Sequence, residues 1–315
     1  MRRQEPMVGI TLAFVCLGIL GAMPIIANSR PAGFSALSFA FFLSVWQLVC
    51  AIPLVVGEAV SGRRGILDAA LAPAIRRRTL AIVLVTGAIF GLSTFAYVLA
   101  MERAGAVAAA IAIQAYPLFA IAWESVFLKR RKSPAELGFT LLLLAALYYL
   151  ATGGTWAVAG FSVWFAVALG VPFLWSIAHV IVREVLVATP ITPGQVTFLR
   201  VLISSVFLGA VLLAVAGPEA VLADLGAFGF QQHAFIMGLV YYLELILWFY
   251  AMRHIDVSVA SSIAVPSPVL TMVLAIVFLG DRVEPYQVAA LAVVIASLYG
   301  LLLAGMRKRR RERVS

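Results

Sequence analysis

The sequence predicts an all-α integral membrane protein, with ten transmembrane helices arranged as two inverted five-helix repeats. Three observations predict it. The 315 residues are 63% hydrophobic and only 12% charged, with a mean hydropathy of +1.06, whereas soluble chains carry roughly 25% charged residues. The basic residues fall on one side of a simple in–out alternation of apolar runs. Residues 87–150 also repeat, without a gap, in residues 238–301.

A spanning helix needs about 20 apolar residues, and the runs can be taken in order. The first covers 7–27, behind Arg2-Arg3. No small-residue cleavage site follows at signal-peptide spacing, so it is expected to stay as the first helix. Asn28-Ser29-Arg30-Pro31 ends it. Spans 34–56, 79–101 and 104–128 follow, and Gly87 and Gly91 give the third a GxxxG pattern that permits close helix packing. The run Lys129-Arg130-Arg131-Lys132 precedes span 134–152, which Gly153-Gly154 closes. The later spans are 160–183, 193–216, 233–252, 257–279 and 285–305. Pro134, Pro193 and Pro285 sit at first helical positions, where a missing N–H removes no helix bond. Pro24 and Pro172 read as packing kinks. Cys16 and Cys50 lie in apolar runs and read as small inert hydrophobes.

Charge orients the spans. With the N-terminus in the cytoplasm, the inside segments hold Arg2, Arg3, Arg63, Arg64, Arg76, Arg77, Arg78, the Lys129-to-Lys132 run, Arg183, Arg253 and the basic tail. The outside segments hold only Arg30, Arg103 and Arg282. This is the positive-inside pattern of a bacterial-type inner-membrane protein with both termini cytoplasmic. The net charge of +9 is read as this orientation signal and as headgroup contact, not as nucleic-acid binding. The chain divides into halves 1–153 and 154–306 and a basic tail 307–315. The repeat aligns Gly87 with Gly238, Pro117 with Pro268, Phe127-Leu128 with Phe278-Leu279, Pro134 with Pro285 and Tyr148 with Tyr299. Five helices per half is an odd number, so the halves must have opposite orientations. Such inverted repeats place a substrate site near the midplane between them.

The string Phe249-Tyr250-Ala251-Met252, Ala260-Ser261-Ser262-Ile263, Pro268-Val269-Leu270, Phe278-Leu279-Gly280-Asp281-Arg282 and Pro285-Tyr286-Gln287 resembles the repeat of the EamA family, within the drug/metabolite transporter (DMT) superfamily. Its earlier copy runs through Ala109-Ala110-Ile111, Pro117-Leu118-Phe119 and Ser133-Pro134-Ala135-Glu136. The stretch from Trp175 to Arg200 is similar to the family's opening helix pair. Two departures are Leu17-Gly18, where the family often has tryptophan, and Lys129-Arg130, in place of a Gly-acidic pair. The resemblance covers nearly the whole chain. It implies the DMT fold and a ten-helix carrier, typically an exporter of amino acids or related metabolites. It also implies a central cavity lined by helices 1, 3, 4, 6, 8 and 9.

The candidate site residues follow from polarity inside apolar runs. Glu244 lies midway along its span, and Tyr241 and Trp248 share its face at helical spacing. A carboxylate there marks either an ammonium site, with the rings adding cation–π attraction, or a protonatable coupling group. The alternative is a structural glutamate hydrogen-bonded within the bundle. Ser93 is its repeat mate, and Tyr97 lies one turn beyond Ser93. His179, one turn from Trp175, is a second proton-coupling candidate or a helix–helix hydrogen bond. Gln114 and Tyr116 precede Pro117, while Ser262 and Ser267 surround Pro266 and Pro268. These prolines free backbone carbonyls in mid-span and are the expected hinges. Glu124 and Arg200 are read as close enough to an interface to snorkel.

Function classes narrow accordingly. No HExxH, G-x-S-x-G, Walker A or metal-spaced Cys/His pattern occurs, so no enzyme, cofactor or metal is expected and transport energy would come from a gradient. The reading is a secondary-active exporter of amino acids or amine-containing metabolites, working by alternating access and coupled to protons. A passive channel, a flippase for lipid-like cargo and a membrane enzyme are the alternatives. The expected partners are a small-molecule substrate and the lipid bilayer, with no nucleic acid and a monomer as the simplest state.

Overall fold

A computed structural model describes residues 6–63, 65–68, 71–116, 118–119, 122, 133–157, 161–189, 191–254 and 263–312. Regular structure in them is helical: α1 Pro6–Asn28, α2 Ala36–Val60, α3 Pro73–Ala104, α4 Ala106–Ile113, α5 Pro134–Ala151, α6 Val163–Ala188, α7 Pro193–Gly226, α8 Phe228–His254, α9 Ser267–Leu274 and α10 Pro285–Glu312. Among the described residues, five helices are long and apolar enough to cross a membrane, namely α1, α2, α3, α5 and α7, and shorter apolar helical stretches occur in α6, α9 and α10.

The helix ends follow local chemistry. Ser133 and Glu136 form a reciprocal capping box at α5, and Thr192 and Gln195 form another at α7, each with proline at the first turn. Gly217 (φ 79°) breaks α7 after Ala216, where the apolar run was expected to end, and Pro218 starts a further short helix. Pro24 and Pro172 lie inside continuous α1 and α6. The expected mid-span breaks are present. After α4, Gln114 and Ala115 form a turn, and α9 begins at Ser267 behind a turn at Pro266. A π-helical turn, Ala275–Leu279, follows α9 and closes on Gly280 in the left-handed region. Pro117 and Ser262 lie outside the described residues, as do Ser261, Glu124 and the Lys129-to-Lys132 run.

The chain forms two compact units, and each draws helices from both sequence halves. The first comprises Met1–Ile25, Arg103–Phe173 and Leu247–Ser315. In it α4 packs on α9, and α5 lies along α10. Small residues permit these approaches: Gly21 faces Leu270, Gly300 faces the Phe139 ring, and Thr271 Oγ1 donates to the Gly21 carbonyl at 2.9 Å.

The second unit comprises Ile26–Glu102 and Leu174–Ile246. Here α2 lies along α7. Gly87 of α3 meets Ile203 and the Arg200 carbonyl of α7, and Ser204 Oγ donates to the Gly87 carbonyl at 2.8 Å. Gly238 of α8 meets the Leu43 carbonyl and the Gln47 N–H of α2. The repeat-related glycines thus do the same work at two helix crossings. One end of this unit is tied by Thr192 Oγ1 donating to the buried Glu58 carboxylate at 2.5 Å and by the Ile66 N–H donating to Gln195 Oε1 at 3.0 Å. The other end is tied by the Arg30–Glu102 ion pair and by Ser38 donating to Asp224.

Candidate substrate site

Four helices of the second unit bring polar and aromatic groups together. On α3, Phe90, Ser93, Thr94 and Tyr97 recur at three- and four-residue spacing and so share one face. All four are buried. The Ser93 and Thr94 hydroxyls each donate to the Phe90 carbonyl at 2.8 Å, which removes two polar groups from competition inside the helix. From α6, Trp175 Nε1 donates to Ser93 Oγ at 3.0 Å, and the His179 ring lies 5.4 Å from the Phe90 ring. Tyr97 is held between two rings, with centroids 6.3 Å from Trp175 and 6.2 Å from Tyr241 of α8. Serine, tyrosine and tryptophan therefore form a continuous wall, fixed at one end by a hydrogen bond.

The charged part of the site differs from the expectation. Arg200, read from sequence as an interfacial residue able to snorkel, is only 6% exposed, and its guanidinium lies 3.6 Å from the Phe90 ring centroid. At that distance a partly desolvated guanidinium gains on the order of 2 kcal/mol from the ring face. Its charge acts on Glu244, on Tyr241 and on His179. Glu244 is accordingly no isolated carboxylate. It shares a water-poor cluster with a fixed cation, and Tyr97 also feels its charge. The reason is axial geometry. Arg200 is two turns into α7, and the close α3–α7 crossing at Gly87 carries it over Phe90 instead of toward a headgroup.

One polar group in the cluster is unmatched. The Tyr241 hydroxyl is buried and has no hydrogen-bond partner among the described residues. Thr94 is beside it; its proton goes to the Phe90 carbonyl, and its oxygen is the nearest acceptor for the phenol, though not in the geometry of a well-formed hydrogen bond. A buried hydroxyl left so costs about 1–3 kcal/mol, and a bound ligand would relieve that cost.

Of the residues expected from sequence, Ser93, Tyr97, Trp175, His179, Tyr241 and Glu244 fall in this cluster or beside it. Trp248 is half-buried one turn beyond Glu244 on α8 and belongs to the first unit. Gln114 and Ser267 also belong there, and Gln114 Nε2 donates to Ser267 Oγ at 3.2 Å, so the two helix breaks meet. Tyr116 is half-buried in the turn of chain after Gln114, and Pro268 is buried in α9. Sequence reasoning missed Arg200, Phe90 and Thr94 as site residues. A signal for Arg200 exists: Thr197, Arg200 and Ser204 recur at helical spacing within an apolar run.

Comparison with known proteins agrees with this architecture. The EamA-like transporter family model matches residues 162–303. A solved structure described only as "Crystal structure of protein" is 15% identical, with a TM-score of 0.57, over 94% of this chain and 98% of that one; at this identity it speaks for the fold alone. No curated protein matches the chain. Residues 162–303 are thus similar to the EamA-like transporter family, and with the long apolar helices this indicates a multi-pass membrane protein.

Proposed function

We propose that this protein is a secondary-active carrier that exports small zwitterionic or amine-containing metabolites, binding them at the Arg200–Glu244 cluster. The observation that carries the reading is a buried Arg200 whose charge acts on Glu244, beside an aromatic wall and a phenol without a well-formed hydrogen bond. A cation alone would have to displace Arg200 from the field of Glu244. A zwitterion presents its ammonium to Glu244 and its carboxylate to Arg200, and it leaves the net charge of the site unchanged. The Tyr241 hydroxyl would donate to the same carboxylate, and Trp175 and Tyr97 would stack on the remaining apolar part.

Export would run by alternating access between two inverted five-helix halves. Support comes from the gapless repeat and from contacts that pair repeat-related helices, namely α4 with α9, α5 with α10, and Gly87 on α7 against Gly238 on α2. The turns behind Gln114 and before Ser267, with Pro117, Pro266 and Pro268, would supply the hinges. Proton coupling follows if Glu244 holds either a proton or the substrate ammonium, but not both at once. Arg200 stays charged throughout. His179, beside Phe90 in the same cluster, is the second group able to pass a proton.

The test is a panel of metabolites on purified protein, read as thermal stabilisation and then as counterflow in proteoliposomes. Saturable counterflow with trans-stimulation by amino-acid-like zwitterions is expected. Stabilisation by simple amines and not by zwitterions would overturn the role of Arg200. Linear, non-saturating flux would make the protein a channel.

A further inference from the structure

We propose that the cleft at the Ser38–Asp224 end of the second unit is a lipid site, which takes one acyl chain of a phospholipid with a net-neutral, ammonium-bearing headgroup. The cleft has a volume of about 450 Å3 and is lined by side chains of α2, α7 and α8, chiefly Trp46, Leu225, Phe228 and Phe235. That volume is within the range of roughly 300–1,000 Å3 typical of ligand clefts. Trp46 and Phe235 meet edge to face at 5.3 Å. The one polar atom of the indole is already used, because Trp46 Nε1 donates to Gln231 Oε1 at 2.9 Å, and Gln231 Nε2 donates to the Asp224 carbonyl at 3.0 Å. What remains toward the cleft is apolar surface.

That surface is unusually open. Phe228 is 78% exposed and Leu225 57%. In water such exposure forfeits about 25 cal/mol for every Å2 of apolar area, but the residues stand at the ends of helices that cross a bilayer. The helix from Pro218 to Gly226 carries the exposed Leu222 and Leu225 together with Glu219 and Asp224. An acyl chain is the apolar partner that reaches this depth.

Charge selects the headgroup. This end of the unit carries Glu102, Glu219 and Asp224, and its Arg30 is ion-paired to Glu102. The opposite end carries Arg63, Arg76, Arg77 and Arg78. By the positive-inside rule the cleft faces the outer leaflet. A net-anionic headgroup would be repelled there, and an ammonium would be attracted. Gln232 also lines the cleft, is exposed, and makes no hydrogen bond among the described residues. Its amide is free to donate to an ester or phosphate oxygen.

The experiment uses the full chain in detergent, titrated with phosphatidylethanolamine brominated on an acyl chain. Bromine quenches a nearby indole, and the Trp46 signal is isolated as wild type minus Trp46→Phe. The Trp156 signal, obtained the same way, reports general lipid contact, because Trp156 is 55% exposed. Trp46 is expected to be quenched saturably, with a midpoint about tenfold lower in bromolipid than for Trp156. Brominated phosphatidylglycerol should act more weakly. Gly226→Leu should abolish the low-midpoint phase without unfolding the protein, since a Cβ at Gly226 meets nothing within 4 Å and its side chain would occupy the cleft. Equal midpoints for both tryptophans, equal action of both lipids, or persistence of the phase in Gly226→Leu would overturn the proposal. Displacement of the phase by a transported metabolite would also overturn it, by making the cleft a cargo entrance.

Discussion

At the scale of residues, Glu244, Arg200 and Tyr241 can be separated by what each substitution leaves behind. Glu244→Gln keeps the shape but removes the charge that balances Arg200. Substrate affinity in counterflow should fall by roughly 10- to 100-fold, the value of a charge-assisted hydrogen bond of about 1.5–3 kcal/mol. Transport by this variant should also lose any dependence on pH; transport equal to wild type at every pH would end both roles given to Glu244. Arg200→Lys retains a cation but loses the flat fork that covers Phe90 at 3.6 Å, so it should weaken binding of zwitterions while sparing amines. Tyr241→Phe makes the sharpest split. The hydroxyl makes no well-formed hydrogen bond among the described residues and has only Thr94 beside it, so its loss should leave thermal unfolding nearly unchanged, while substrate affinity falls by about tenfold. Reduced stability with unchanged affinity would assign the phenol to the protein's own packing.

At the scale of elements, the helix crossings depend on two glycines in repeat-related positions. A Cβ at Gly238 would press on the Leu43 carbonyl and the Gln47 N–H, which are backbone atoms and cannot rotate away. Gly238→Ala should therefore lower stability by about 1–3 kcal/mol, the usual cost of overpacking. Gly18→Ala, with nothing within 4 Å of the added carbon, should be neutral or slightly stabilising because alanine favours a helix. Thermal unfolding of both variants in detergent checks the pair. At the start of α7, Thr192→Ala removes the cap and also the hydroxyl that donates to Glu58. Its cost should exceed the ~1 kcal/mol of an isolated N-cap, whereas Ser133→Ala at α5 should stay near that figure. GxxxG at Gly87 and Gly91 was legible as a packing signal, but not which helix it receives; that helix is α7.

At the scale of the whole molecule, the distribution of bases makes a topological prediction. Reporters fused after residue 315 or inserted near residue 62 should lie in the cytoplasm, and reporters near residues 154 and 281 should lie outside. A reporter near 154 found inside would break the in–out alternation and the inverted repeat with it. The sequence by itself determined where the helices lie and those ends marked by local signals, such as proline at the first turn or glycine where φ turns positive; it placed the starts of α3 and α8 and the end of α10 five to seven residues short. It also determined that Glu244, Tyr241, Tyr97, Trp175 and His179 are set in apolar surroundings. Only the tertiary structure decided that Arg200 joins them. A basic residue two turns inside a span reads as able to snorkel from either end, and its true surroundings depend on which neighbouring helix covers it. The close approach at Gly87 and the ring of Phe90 decide that here, and they set a buried cation whose charge acts on the carboxylate. The tertiary structure likewise drew each compact unit from both halves of the chain, because the contacts that define it join helices far apart in sequence.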